Sequence, residues 1–336
     1  MNDSPASSFR SLVTGGSGFI GGHLVALLRQ QGDSVRILDL EPPLAPLDGV
    51  EFIQCSVTDA ARVAAAMAGV ERVFHLAALS GLWARAKSDF MRVNCEGTRT
   101  LFAAAAQAGV DTVVYCSTEA ILKPGNPPGA IVDEDIEPRL EAMPGPYCRA
   151  KLLGEREAFA AASRGQCVVV VNPTVPLGPG DRYLTPPARM LLGFLNGTYP
   201  AYLDTTLNLV DVRDVAAGHI RAAERGVSGR RYVLGGADVP MATLLTTLQR
   251  LSGCPMPRRR VPYWLALAMG AMGEFIADHM THRPPTAPLA GVRLAGMPVR
   301  FDSTRARTEL GMDFRPLEHS VADAIADFRA RGLLGT

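Results

Sequence analysis

The sequence predicts an α/β protein, a doubly wound parallel sheet that carries a smaller C-terminal lobe. Three observations predict it. Short β-branched runs alternate with helix-forming segments through the first half of the chain, a glycine-rich turn joins the first run to the first helix, and past Pro173 the alternation loosens into prolines and longer loops. Alternation of this kind lays strands side by side with helices on both faces.

In chain order, the short apolar start Leu12-Val13 leads into the glycine turn, and the runs Val35–Leu38, Val50–Ile53, Val73–Leu76, Val113–Tyr115 and Val168–Val171 follow. Each is bounded by polar or turn residues, which marks buried parallel strands. The intervening segments Ile20–Gln31, Ala60–Ala68, Phe90–Ala108 and Leu152–Ser163 have helical composition. Beyond Pro173 a strand is expected at Arg231–Leu234, a helix at Met241–Leu251 and a terminal helix at Leu317–Arg331. Proline-rich connectors stand at Pro42–Pro46 and Arg283–Pro288, and there is no internal repeat.

Length and charge bound the function. The 336 residues allow two domains, or one large core with an elaborated second lobe. With 34 Lys+Arg against 33 Asp+Glu, the net charge of +1 removes the broad attraction that sustains nucleic-acid binding. Six cysteines without a CxxC pair or a zinc spacing, together with a Ser-rich Met1–Arg10 lacking the pattern of a signal peptide, point to reduced thiols in a cytoplasm. The most apolar stretch, Tyr263–Ala277, carries Glu274 and falls short of the roughly 20 residues that span a bilayer.

The 33 glycines exceed the usual share, and their placement is informative. Thr14-Gly15-Gly16-Ser17-Gly18-Phe19-Ile20-Gly21 has the spacing G-x-x-G-x-x-G and opens a helix near Phe19. Glycine is needed where the turn demands unusual φ, where a Cβ would hold a pyrophosphate off the backbone, and where helix packs on strand. The helix N-terminus then offers N–H groups to phosphates. An ordinary glycine-rich turn would explain the glycines alone. Asp39, however, stands 18 residues after Gly21, close to the spacing of about 20 at which a carboxylate meets the adenosine ribose. The pair predicts a Rossmann-type dinucleotide site, and a P-loop is excluded because no Gly-Lys-Ser/Thr follows. Asp39 repels a 2′-phosphate, and Arg36 points to the opposite face of its strand, so NAD is favoured over NADP. Residues 1–173 are expected to form the dinucleotide-binding domain, with segments such as 209–234 returning to it, and 174–336 mainly a substrate-binding lobe.

Tyr147 and Lys151 lie four apart at the start of a helix behind Pro144-Gly145-Pro146, on one face. A free phenol is a slow acid–base group at neutral pH, and an ammonium beside it, with the positive ring of a nicotinamide, would lower its pKa. Such a pair often marks only a solvated helix face. Ser117-Thr118 at the carboxyl end of Val113–Tyr115 supplies a second group, where open α/β sheets bind ligands.

With these residues in hand the chain resembles the extended short-chain dehydrogenases/reductases, the NAD-dependent epimerase/dehydratase group. TGGSGFIG, VFHLAA at 73–78, Asn94 in VNCEGT, YCST at 115–118, YCRAK at 147–151, NPTVPLGPGD at 172–181 and LVDVRDVAAGH at 209–219 carry the resemblance over nearly the whole chain. It implies that Thr118 is the triad hydroxyl with Ser117 beside it, Tyr147 the acid/base, and Lys151 its tuner and a ribose ligand. It further implies a cofactor lined by Gly15, Gly18, Phe19, Ile20, Gly21, Asp39, Leu76, Ala77, Ala78, Pro173 and Val175, a largely structural, cofactor-side role for Asn94, and a homodimer built on the helices Phe90–Ala108 and Tyr147–Ser163. Two departures matter. Where family members carry Asp at the adenine this chain has Ser56, followed by Val57, and the cofactor contact is expected to pass to these residues, through the Ser56 hydroxyl. Where nucleotide-sugar epimerases place an Arg, Asp204-Thr205-Thr206-Leu207-Asn208 has no cation, which argues against a UDP-sugar. The second lobe, with YVLGG at 232–236 and RFDSTRARTELGMDFRP at 300–316, resembles the hopanoid-associated sugar epimerase branch near the dihydroflavonol reductases and 3β-hydroxysteroid dehydrogenases.

Four features stand apart. Arg258-Arg259-Arg260 ahead of Tyr263–Met269 suits either a membrane surface or, as the favoured expectation, a buried core helix capped by solvated arginines. His279 and His282 beside Asp278 lack a further ligand cluster, so no metal is expected. His75 is read as packed, and Cys148 as pointing away from the site. The expected function is hydride transfer between nicotinamide C4 and a secondary alcohol or ketone of a small, rather apolar substrate. An epimerase or dehydratase that retains its NAD is the alternative, and a non-catalytic NAD-sensing module would require a damaged Tyr/Lys pair, whereas this one is intact. Substrate choice is expected to rest with the loops Asp181–Pro187 and Leu192–Tyr202.

Overall fold

Val168–Pro173 is buried at every position, which a strand tolerates only between two helical layers. A computed structural model describes residues 9–44 and 48–335; Met1–Ser8 and the Ala45–Pro46 end of the first connector lie outside the described residues. The main sheet has seven strands: β1 Arg10–Thr14, β2 Ser34–Asp39, β3 Val50–Gln54, β4 Arg72–His75, β5 Thr112–Cys116, β6 Val168–Pro173 and β7 Arg231–Leu234. All pair in parallel, in the order β7-β6-β5-β4-β1-β2-β3. The order reverses between β1 and β4, and it is at such a reversal, outside the carboxyl ends of the strands, that open α/β sheets carry their ligand crevice.

Alternate side chains serve the two faces. Val13, Ile37, Phe74, Val169 and Val171 pack with Leu24, Leu28, Val215 and Ile220 of the helices Phe19–Gln30 and Val212–Arg225. Leu12, Val73, Val113, Val168 and Val170 pack with Leu101, Phe102, Ala158 and Ala161 of the helices Gly97–Ala108 and Pro146–Ser163. The continuous helix expected over Phe90–Ala108 is interrupted by a π-turn at Arg92–Glu96. That widened turn sets Asn94 against the loop after β4, a use typical of π-bulges.

At Thr174 the chain changes sheets. Val175–Leu177 pairs in parallel with Thr206–Asp211, which pairs antiparallel with Ala237–Pro240. A separate core of Leu191, Leu195, Leu244, Leu248, Val321 and Phe328 covers this small sheet with the helices Pro186–Leu195, Met241–Ser252 and Leu317–Ala330. The span Leu192–Tyr202 is therefore not simply a loop: it begins inside a helix and ends in the strand Ala201–Leu203. A second correction concerns the helix Tyr263–Ile276, expected in the core. Only Gly270 of it is buried. No helix among the described residues is long and apolar enough to cross a membrane.

Candidate active site

The glycine turn follows the carboxyl end of β1, and no other residue fits its first and last positions. Gly15 has φ +72°, and a Cβ there would stand 2.7 Å from the amide nitrogen of Ala77 in the loop after β4. A Cβ on Gly21 would stand 2.1 Å from the Gly15 carbonyl oxygen, so this glycine packs the helix onto the turn itself. The helix that follows has no side-chain cap and no acid in its first turn, so the N–H groups of its first turn face the crevice unclaimed. The buried Ser17 hydroxyl is also without a partner. A backbone cradle with spare donors suits a pyrophosphate. Gly21→Ala is expected to weaken NADH binding at least ~100-fold by pushing the helix off the turn; a fluorescence titration measures it, and unchanged affinity would remove the glycine packing from the account.

Asp39 closes β2 beside this turn. Its Oδ2 accepts from the Ser17 N–H at 3.0 Å and its Oδ1 from the Leu40 N–H at 2.7 Å, which fixes the carboxylate at the rim. Arg36 is turned away and held by Glu51 at 2.7 Å and by the Ala66 carbonyl at 2.5 Å. Ser56, after β3, is engaged locally: its hydroxyl lies 2.8 Å from that of Thr58 and accepts from the Thr58 N–H, in the turn that leads to Asp59, the cap of the helix Ala60–Ala66. Val57 beside it is buried, in contact range of Gly97.

A chain of hydrogen bonds stands behind the floor of the crevice. Thr98 Oγ1 donates to the Asn94 carbonyl at 2.9 Å, so it accepts from His75 Nε2 at 3.0 Å. His75 Nδ1 is then the acceptor for Thr14 Oγ1 at 2.7 Å, and Thr14 accepts from the Ala77 N–H at 3.2 Å. Burial, with Lys151 nearby, lowers the His75 pKa to about 3, in keeping with a neutral ring. His75 is a packed histidine, as expected from the sequence. Asn94 grips both backbone groups of Leu79, at 2.7 and 3.1 Å, and so holds the segment that contains Leu76, Ala77 and Ala78.

The groups expected to react converge from β5 and from the helix Pro146–Ser163. Thr118 follows β5, and its hydroxyl faces the Tyr147 phenol. The edge of Phe90 meets the Tyr147 ring, with centroids 6.1 Å apart. Ser117 is buried beside them with its hydroxyl unpaired. Lys151, one turn after Tyr147, is buried; its ammonium donates to the Cys116 carbonyl at 2.7 Å and lies 4.6 Å from the centroid of the Tyr115 ring. Taken together, the protein's own groups do not lower the phenol pKa. Burial pushes the Tyr147 pKa above its ordinary value, the nearby Cys148, Cys116 and Glu119 add to that, and the Thr118 hydroxyl pulls the other way. Burial brings Lys151 down to about 8. Cys148 packs away from the crevice with Ile121, Leu122 and Leu152, and burial holds its thiol up at about 12.

Pro173 ends β6, and Val175 begins the small sheet two residues later, with the Thr174 N–H between them on the Leu234 carbonyl at 3.1 Å. Sequence reasoning missed the polar network beneath these groups. Asn172 donates to the Thr118 carbonyl at 3.1 Å and to Glu155 at 2.9 Å, and Glu155 meets Arg231 at 2.9 Å. The signal was present: an Asn that ends an all-valine run, and a Glu four residues beyond Lys151 on the same helix face. Asp278 is bound to Lys87 at 3.0 Å and to the Trp83 indole N–H at 2.6 Å, and His279 to the Phe275 carbonyl.

The model of the NAD dependent epimerase/dehydratase family matches residues 11–235. A Synechocystis sp. protein provisionally named dihydroflavonol 4-reductase is 35% identical over 331 residues, 96% of each chain. Sterol demethylase protein B of Methylococcus capsulatus is 32% identical over 96% of this chain and 99% of its own. Among solved structures, MoeE5 in complex with UDP-glucose and NAD superposes with a TM-score of 0.74 at 26% identity, covering 96% of this chain and 99% of that one.

Proposed function

The chain belongs to the NAD dependent epimerase/dehydratase family, the extended short-chain dehydrogenases/reductases, and from that premise we propose that it uses Thr118, Tyr147 and Lys151 to reduce the ketone of a small, rather apolar molecule with NADH. It is an enzyme, an oxidoreductase that works with a nicotinamide dinucleotide on a secondary alcohol or ketone. The observation that carries the assignment of roles is the Tyr147 phenol, opposite Thr118 and one helical turn from Lys151, at the crevice that the glycine turn overlooks. When bound, the nicotinamide supplies the hydride at C4. Thr118 holds the substrate oxygen, Tyr147 donates its proton to that oxygen, and Lys151 positions the cofactor ribose and eases the charge left on the phenolate. A phenol kept neutral by burial is able to donate the proton that reduction consumes.

The change of sheet at Thr174 supports a division of labour. Residues 1–173, with segments of 209–234, hold the cofactor, and most of 174–336 shapes the substrate. NAD rather than NADP is supported by the carboxylate of Asp39 at the rim and by the engagement of Arg36 elsewhere. NADPH is expected to bind at least ~10-fold more weakly than NADH, and Asp39→Ala to narrow that ratio; equal affinities in the wild type would overturn the assignment.

An apolar substrate is supported by Phe90 against Tyr147 and by the sterol in the name of one relative. The retained-cofactor epimerase is the second reading, favoured by the likeness to a UDP-glucose complex. Against it, residues 204–208 offer no cation, and nearby Arg260 is already paired with Asp204 at 2.8 Å. A panel of steroid, isoprenoid, flavonoid and sugar ketones assayed for NADH consumption decides: net oxidation of NADH supports the reductase, whereas tightly retained cofactor with isomerised product and no net redox change defeats it. A homodimer through the helices that Arg99 and Glu157 tie together within one chain at 2.7 Å, and a cytoplasmic setting for six free thiols, complete the reading.

A further inference from the structure

The helix Tyr263–Ile276 is inverted relative to an ordinary surface helix. Its small residues Ala266, Gly270, Gly273 and Ala277, spaced at i, i+4, i+7 and i+11, form one stripe. Gly270 meets the segment that starts the helix Leu289–Ala295: a Cβ there would lie 3.2 Å from Val292 and 3.5 Å from Leu289. The large apolar side chains stand on the other side. Trp264 is 70% exposed, Met269 62%, Met272 61%, Phe275 57% and, in the following turn, Met280 71%. Water does not stabilise such a face, and exposed apolar area of this kind marks an interaction surface.

Charge tells which surface. The two carboxylates of the segment, Glu274 and Asp278, both turn to Lys87, at 3.4 and 3.0 Å. Arg258 and Arg259 before the helix and Arg283 after it are exposed and make no ion pair among the described residues. The apolar stripe is thus flanked by free cations at both ends. A second copy docked by the same face, in either direction, would bring these cations together, and like charges in apposition oppose association. An anionic bilayer satisfies both features, with the aromatic and methionine side chains in the acyl boundary and the arginines among the headgroups.

We propose that Trp264, Met269, Met272, Phe275 and Met280, with Arg258, Arg259 and Arg283, form a peripheral docking face for membranes that carry anionic headgroups. It does not rest on the chemistry assigned to Tyr147. The face stands one helix from the crevice, because Arg293 of the underlying helix donates to the Pro144 carbonyl at 3.2 Å, just ahead of Tyr147.

The test uses the full chain and vesicles of phosphatidylcholine with or without phosphatidylglycerol. Of the two tryptophans, Trp83 is only 8% exposed, so emission from Trp264 reports the contact. Expected are co-sedimentation with the anionic vesicles, a blue shift of the emission, and weakening by salt. Arg258→Ala and Arg259→Ala should each weaken binding about fivefold, and Met272→Glu with Phe275→Glu should abolish it. Unchanged NADH affinity and melting temperature verify that the variants fold. Three results overturn the proposal: no sedimentation or shift with wild-type protein, binding that survives the glutamate pair, or a dimer in sedimentation velocity that this pair dissociates, which would identify a second copy as the occupant.

Discussion

Tyr147→Phe is expected to lower the rate of ketone reduction by about three orders of magnitude, within the range that a positioned acid–base group contributes, while NADH affinity stays within about twofold of wild type. The split follows from the geometry. The phenol faces Thr118 at the carboxyl end of β5, and its ring contact with Phe90 is one that phenylalanine keeps. Removal of the hydroxyl leaves the proton without a donor and leaves the cradle at Gly15 and Asp39 untouched. Wild-type pH profiles should carry the sign of the raised phenol pKa. Reduction needs the protonated phenol, so its rate holds through neutral pH and falls only on the alkaline side; oxidation of the alcohol needs the phenolate and rises with pH. Undiminished turnover in Tyr147→Phe would remove the residue from the mechanism, and a matching loss of NADH affinity would make its role structural.

What was legible in the sequence and what was not divides along physical lines. The glycine turn could be read because a positive φ and a backbone approach below 3 Å admit one residue type, and local spacing records both. The buried strands could be read because side chains packed on both faces leave no place for polar residues, as in Val168–Val171. Tertiary electrostatics could not. The sequence places Lys151 beside Tyr147, yet the ammonium goes to the Cys116 carbonyl, and burial, which has no local signature, sets the direction of the phenol's shift. In the Asn172–Glu155–Arg231 network the placement of Asn172 and Glu155 left a local trace, but their pairing joins three segments that only the fold brings together. The helix Tyr263–Ile276 failed for a third reason. Its inner stripe is alanine and glycine and its outer one methionine and phenylalanine, so hydrophobic periodicity is weak and gives no clue to which side faces out.

Lys151→Met should move activity and stability in opposite directions. The ammonium is buried, with one hydrogen bond to the Cys116 carbonyl at 2.7 Å and the Tyr115 ring at 4.6 Å, and burial brings its pKa down to about 8. In the unfolded chain the group titrates at about 10.4. Between these values the unfolded state binds more protons, so stability of the ligand-free protein rises as pH climbs through that window, and below it the folded state carries the full cost of a desolvated charge. Methionine removes the charge and keeps most of the volume. The gain at pH 7 is roughly 3 kcal/mol from the shift, less about 1 kcal/mol for the carbonyl left unpaired, a net of about 2 kcal/mol in favour of the variant. Chemical denaturation at pH 7 and pH 10 measures it: the variant should be the more stable at pH 7 and should lose the rise with pH that Lys151 contributes. Turnover should fall by about two to four orders of magnitude, through loss of the group that positions the ribose and eases the phenolate. A lysine held only for packing would cost stability and spare the chemistry when replaced. A variant that is less stable at pH 7 would mean that the ammonium has a stabilising partner in the fold, and the strained cation would have to be abandoned as the source of the catalytic charge.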